Sequence, residues 1–277
     1  MNPLFSIIVV ALNPGDKLME TVESIRMQTC NDYEIVVKDG LSTDGSYEAL
    51  QEKYCVPETA EYDDRIKMHA RKDSSIYDAM NQAIEYCTGK YYFFLNCGDR
   101  FYDEKVLEHI KDFVLDPREE KDIVYGNSYN DTTKSVVAST PSVNAFSCYR
   151  NVPCHQTCFY SARMFSERAY RPEFRVRGDY EHFLWCYFVK KAVIRFVDVI
   201  VSFYEGGGFS ETKANIKRSK REHKEITKMY MSKGMRFKYK AILLLTLSPV
   251  RSKMASSQRF SGIYNKIKGV IYKKRKA

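Results

Sequence analysis

Negative charge is almost missing from one end of this chain. From Lys213 to Ala277 there are 20 Lys and Arg against 2 Asp and Glu, a balance of +18; residues 1–212 hold the other 24 basic and 33 acidic residues, a balance of −9 within a total of +9. Such a tail is matched by an anionic partner, a membrane surface or a nucleic acid. Long apolar runs are missing too. The longest, Ala241–Leu247, lies between Lys240 and Pro249, well short of the roughly 20 residues that a membrane span needs, and reads as a buried or interfacial helix. None of the 8 cysteines stands in a CxxC pair. Cys154, His155 and Cys158 lie close together, but their spacing fits no common zinc pattern. No basic leader precedes the apolar stretch Phe5–Leu12, so export is not expected, and the thiols are expected to be reduced and mostly buried in a cytosolic setting. No GxGxxG follows the first strand and no GxxxxGK[ST] occurs, which sets aside dinucleotide-binding and P-loop enzymes. Internal repeats and low-complexity segments are absent.

What is present in the first half is an alternation of two periodicities. Phe5–Leu12 is apolar and β-branched, the pattern of a buried strand. After Asn13-Pro14-Gly15, Leu18, Val22 and Ile25 recur at helical spacing. Tyr33–Lys38 reads as a second strand, followed by the Asp39-Gly40 turn and a helix towards Tyr54. Arg65–Ala70 is a weaker third strand and Ile76–Cys87 a helix with Ile76, Met80, Ala83 and Cys87 on one face. Tyr91–Leu95 is a fourth strand and Asp103–Val114 another helix. This alternation builds a mostly parallel sheet with helices on both faces. The pattern blurs after about Tyr129, although Asp122–Tyr125 and Val193–Val199 read as strands and Tyr180–Lys190 as a helix. From about Lys213 the chain is basic and helical.

In open α/β sheets, ligands bind at the carboxyl ends of the strands. Three successive strands here end in an acidic loop, with Asp39, Asp73 and Asp99. Carboxylates gathered on one edge repel each other unless a cation or hydrogen-bond donors compensate them. A divalent metal with a phosphorylated ligand does so; so do the imide of uracil and the hydroxyls of ribose.

Phe5–Asn13 (FSIIVVALN), Tyr33–Ser46 (YEIVVKDGLSTDGS) and Phe93–Asp99 (FFLNCGD) together resemble glycosyltransferase family 2, with its GT-A fold. Asp73–Asn81 (DSSIYDAMN), Pro153–Phe159 (PCHQTCF) and Gly178–Leu184 (GDYEHFL) resemble its bacterial exopolysaccharide and O-antigen subgroup, of the colanic-acid type. The resemblance covers roughly residues 4–212. It implies that Leu12 and Asn13 line the nucleotide pocket, that Asp39 binds base or ribose, and that Asp73 sits beside the nucleotide. Asp99 matches the last carboxylate of the family's metal-binding motif, and Asp179 matches its catalytic base. The chain departs from the pattern where Asn96 and Gly98 replace carboxylates. It departs again where Met80 replaces an Arg, with Arg71 or Lys72 as candidate substitutes, and where Gly178 replaces the Glu before the base, with Glu181 as a second carboxylate nearby.

Each site has a plainer reading. Asp39-Gly40 could be only a turn, Asp99 or Asp179 a helix cap, Asp73 a surface partner of Lys72, and His155 a core histidine rather than a group at the diphosphate or metal. Gly206–Ser210 is either a linker or a loop closing over the substrates. Phe260, Ile263, Ile267, Val270 and Ile271 share a helical face among lysines, as in a packed basic helix or an interfacial membrane helix. The expectation is a GT-A-like α/β catalytic domain over 1–212, with a Rossmann-like donor half to about residue 100, and a basic helical extension over 213–277. The expected reaction moves a sugar from a nucleotide diphosphate, UDP by the resemblance, to a hydroxyl of a glycan or lipid-linked acceptor with inversion, using Mg²⁺ or Mn²⁺. Nucleic acid is not expected as a partner, because aromatic residues interleaved with basic ones are sparse in the tail. The expected location is cytoplasmic, peripheral on the inner face of the cell membrane. A reading from another class is a non-catalytic binding module for anionic membrane or nucleic acid.

Overall fold

The computed structural model describes residues 2–204 and 212–246. The Gly206–Ser210 loop and the Phe260–Ile271 face therefore lie outside the described residues. Strands β1 (Phe5–Ala11), β2 (Tyr33–Asp39), β3 (Ile66–Ala70) and β4 (Tyr91–Phe94) are separated by helices α1 (Lys17–Arg26), α2 (Ser46–Tyr54) and α3 (Ile76–Ile84). Then come β5 (Arg100–Phe101), α4 (Val106–Leu115), β6 (Ile123–Asn130), β7 (Ser135–Val137), α5 (Ala145–Arg150), a 3₁₀ turn at His155–Thr157 and β8 (Cys158–Ser161). The described chain ends with α6 (Gly178–Trp185), running on as a π turn over Cys186–Lys190, then β9 (Ile194–Tyr204), α7 (Lys213–Tyr230) and α8 (Lys233–Leu245).

One nine-stranded sheet runs in the order β3-β2-β1-β4-β8-β6-β9-β5, with β7 beside β6. The first part of the sheet, β3 to β4, is parallel throughout. Beyond β4 the sheet is mixed: β8 is antiparallel to both β4 and β6, and β9 is parallel to β6. β1 and β2 are buried on both faces, which is why they read as continuous apolar runs rather than alternating ones. Their residues divide by parity between two cores. Ile8, Val10 and Val36 pack with Tyr77, Met80 and Ala83 of α3 and with Tyr180, Phe183 and Leu184 of α6. Ile7, Val9, Ile35 and Val37 pack with Leu18, Val22 and Ile25 of α1 and with α2 and α4. Met80, which stands at the Arg position, is core, and Arg71 is paired with Glu85 at 3.1 Å.

Basic as it is, α7 is packed against this body. Its Ile226 is fully buried, and His223 Nε2 lies 2.8 Å from the carbonyl oxygen of Tyr149. Buried Glu222 accepts three consecutive backbone N–H groups, from Arg175 (3.1 Å), Val176 (3.0 Å) and Arg177 (2.9 Å). The turn that launches α6 is thus sealed by a carboxylate from α7. α8 buries no residue fully. Among the described residues no helix is long and apolar enough to cross a membrane.

Candidate active site

Parallel register sets the carboxyl ends of β2, β1 and β4 side by side, with Ala11 opposite Asp39 and Ile8 opposite Phe94. The first group of expected site residues gathers at the β1 and β2 ends. Asp39 is buried; one carboxylate oxygen accepts the Ser42 N–H at 2.7 Å and the other the Ser42 hydroxyl at 2.5 Å. Ser42 Oγ in turn accepts the Asn13 N–H at 2.8 Å, and Asn13 Oδ1 accepts the Thr43 N–H at 2.8 Å. Asn13 takes a left-handed backbone (φ 47°), which asparagine tolerates better than most residues. The two loops are laced into one rim, with Leu12 exposed upon it. The Asp39 carboxylate closes its own turn and, through Ser42, reaches the Asn13 loop. Arg71 N–H donates to the Asp39 carbonyl at 3.0 Å, bringing the Asp73 loop alongside. Asp73 pairs not with Lys72 but with Lys38, whose side chain is fully buried.

The second group gathers at the end of β4. The turn after β4 closes by an Asp99 N–H bond to the Asn96 carbonyl (2.9 Å). Thr21 of α1 fixes it from behind, accepting from Gly98 N–H (2.9 Å) and donating to the Asp99 carbonyl (3.0 Å). Gly98 has φ 97°, a conformation costly for any side chain, a carboxylate included. Asp99 caps no helix: the cap position of α4 is Lys105. Its carboxylate instead accepts from Gln156 Nε2.

His155 is partly buried, with a partner at each ring nitrogen. Its Nε2 is 3.1 Å from Asn96 Nδ2 and its Nδ1 is 3.3 Å from Asp179 Oδ2. Asp179 lies in the first turn of α6, past the cap position at Arg177, and its other oxygen accepts the Tyr77 hydroxyl at 2.8 Å. Burial pushes the Asp179 carboxyl up, but the hydrogen bond and charge from His155 and the hydrogen bond from Tyr77 outweigh it and hold the group below the ordinary carboxylate range. Tyr77 moves the opposite way, well above the usual phenol range, through burial and the Asp179 charge; it stays a donor. Glu181, two residues on, turns away. It is fully buried on Arg168 Nη2 (2.9 Å) and the Tyr230 hydroxyl, an anchor between α6 and α7.

A hard divalent cation would find two oxygen groups here. The same turn carries the Asp99 carboxylate and Asn96, whose Oδ1 is buried with no hydrogen-bond partner. Two such groups suit an ion that takes most of its ligands from a diphosphate; among the described residues no group of three His, Cys, Asp or Glu could hold a metal. Sequence reading missed Tyr77, Gln156 and Lys38. Two were within reach of it: Tyr77 stands four residues after Asp73, and Gln156 stands beside His155.

Residues 6–189 match the family model described as Glycosyl transferase family 2. A PGL/p-HBAD biosynthesis glycosyltransferase of Mycobacterium bovis (strain BCG / Pasteur 1173P2) is 32% identical over 212 residues, 76% of this chain and 80% of that protein. Among solved structures, S. aureus TarS 1–349 in complex with UDP is similar with a TM-score of 0.65 at 16% identity, over 88% of this chain and 71% of that one. The mannosyltransferase PcManGT from Pyrobaculum calidifontis, in complex with GDP-Man and Mn²⁺, is similar with a TM-score of 0.55 at 13% identity, over 98% of this chain and 88% of that one. At these identities the two structures bear on fold alone.

Proposed function

The chain belongs to glycosyltransferase family 2, and from that premise we propose that it transfers a sugar from a UDP-sugar to a hydroxyl of a surface glycan or its lipid-linked precursor. The observation that carries this reading is the meeting of Asp99 and Asp179 through Asn96, His155 and Gln156, next to the Asp39 rim. In this reading Leu12, Asn13 and Asp39 hold the nucleoside, Asp73 shapes the pocket wall through Lys38, and His155 lies near the diphosphate. Asp99 and Asn96 would hold Mg²⁺ or Mn²⁺, which when bound offsets the charge of the diphosphate. Asp179 takes the acceptor proton as the acceptor oxygen attacks the anomeric carbon. A single displacement of this kind inverts that carbon. The nucleotides bound in the two similar solved structures, UDP and GDP-Man, support a nucleoside diphosphate donor.

Membrane attachment through the tail has its own support. α8 exposes Phe237, Leu244 and Leu245, on a helix that also carries Lys233, Arg236, Lys238 and Lys240.

The reading is tested by adding UDP-glucose, UDP-GlcNAc or GDP-mannose, with and without Mn²⁺, to the full chain. Melting temperature and release of free nucleoside diphosphate are followed. A ligand of the native state raises the melting temperature. Asp179→Asn should bind donor as wild type does and lose turnover by roughly 10²–10⁴-fold. Wild-type turnover in Asp179→Asn removes it as the base, and a chain that neither binds nor turns over any donor is a binding module instead.

A further inference from the structure

Two side chains far apart in sequence spend a donor on the same carboxylate. The Tyr77 hydroxyl is 2.8 Å from Asp179 Oδ1 and 3.2 Å from the Val176 carbonyl; with one proton to give, it serves the ionised carboxylate. His155 Nδ1 faces Oδ2 at 3.3 Å. The other ring nitrogen faces the donating amide of Asn96, so Nδ1 is the nitrogen placed to donate to Asp179.

The tyrosine has no freedom to leave. It is buried, its ring stands 5.3 Å from that of Tyr170, and a methyl group on Gly178 would come within 2.7 Å of it. Residue 178 therefore carries no side chain because the Tyr77 ring occupies that space.

We infer that Tyr77 and His155 form a two-point clamp that fixes the rotamer of Asp179 and aims its remaining lone pairs at the acceptor hydroxyl. Both are positioning residues, and the inference rests on Asp179 being the base. Tyr77 stands on α3, directly after the Asp73 loop, so the clamp ties the base to the donor half of the sheet.

The clamp has a pH signature. Besides His155 and Tyr77, the described titratable groups that feel the Asp179 charge include Tyr160, Tyr170 and Cys158, pushed up by burial, and the exposed Cys154, pushed up as well; all four are neutral near pH 7. A carboxylate held below its ordinary range works above its own pKa and stops as pH falls through it. Removing a donor raises that pKa, so the acid limb of the rate profile moves to higher pH.

The test uses the full chain, with release of nucleoside diphosphate from UDP-glucose, UDP-GlcNAc or GDP-mannose as the readout. Tyr77→Phe should move the acid limb of kcat up by about one pH unit. It should also lower kcat about tenfold or more at its plateau, with donor KM and melting temperature near wild type. His155→Ala should move the limb in the same direction, and His155→Gln, which keeps a side-chain N–H, should recover part of the loss. If Asp179→Asn is inactive and the limb is unmoved in both Tyr77→Phe and His155→Ala, the clamp is wrong while the base stands. If Asp179→Asn turns over normally, both fall.

Discussion

Replacing Glu222 by alanine removes the acceptor shared by three consecutive backbone donors. Its two oxygens take N–H bonds of 2.9–3.1 Å from Arg175, Val176 and Arg177, and the residue is only 3% exposed. A hydrogen bond to a charged group contributes about 1.5–3 kcal/mol. Three of them do not add fully, because they share one carboxylate. Truncation also leaves three donors unpaired, one of them, Val176 N–H, buried, so the loss is about 3–5 kcal/mol. At about 2–4 °C per kcal/mol for a chain of this size, the melting temperature should fall by about 6–20 °C. Glu222→Gln keeps one oxygen but turns an amide against a donor, and should lose about half as much. Glu225, the other acid of the basic tail and exposed, is the control; Glu225→Ala should stay within about 0.5 kcal/mol. Urea and thermal unfolding monitored by circular dichroism measure all three. Wild-type stability in Glu222→Ala would mean that α7 does not seal the turn, and the packing described for the Asp179 helix would have to be abandoned. Below its melting temperature the same variant should lose kcat more than donor KM, since the loosened turn is the one that launches α6.

Asp63 supplies a pH dependence of stability. The hydrogen bond from Arg65 comes first; it outweighs burial and, with Arg26, brings the carboxyl to about 2. The folded pKa lies below the unfolded value, so the stabilisation is present above about pH 4 and is lost as pH falls towards 2. Asp63→Asn should flatten the acid side of the stability profile; an unchanged acid slope refutes the pairing. Asp99→Ala should abolish the Mn²⁺-dependent part of UDP binding measured by calorimetry while leaving the fold intact; unchanged Mn²⁺-dependent affinity would sink the ligand assignment. Truncation after residue 212 is unsuitable for testing the tail, because α7 is packed into the body. Truncation after residue 232 should instead abolish co-sedimentation with phosphatidylserine vesicles at low salt, at about 1 kcal/mol per basic residue near the surface; full-length chain that ignores such vesicles refutes membrane attachment.

The strand ends were legible because β1 and β2 are buried on both faces, so apolar runs mark their limits and the following Asp marks the edge. The helices α1 and α3 followed from apolar spacing. The short strands β5 and β7 are two and three residues long, below the length at which alternation can be recognised. The mixed half of the sheet depends on pairings that composition does not encode. The site was legible in its carboxylates and not in their partners. Tyr77 is one of 21 tyrosines, and its helical spacing reads as core; only folding puts its hydroxyl on a residue 102 positions away. The Lys38–Asp73 pair spans 35 positions. Glu222 is the extreme case, a carboxylate in a basic tail whose partners are backbone groups 45–47 residues earlier.

Glu222 also sets an order of events during synthesis. Every described strand is complete once Tyr204 has been made, so a growing chain can assemble the sheet and the Asp39 rim while α7 is still unmade. The turn before α6 stays open, with three backbone donors facing water, until residue 222 leaves the ribosome and docks. The Asp39 rim is thus complete in the chain before the carboxylate that seals the turn ahead of Asp179 has been made.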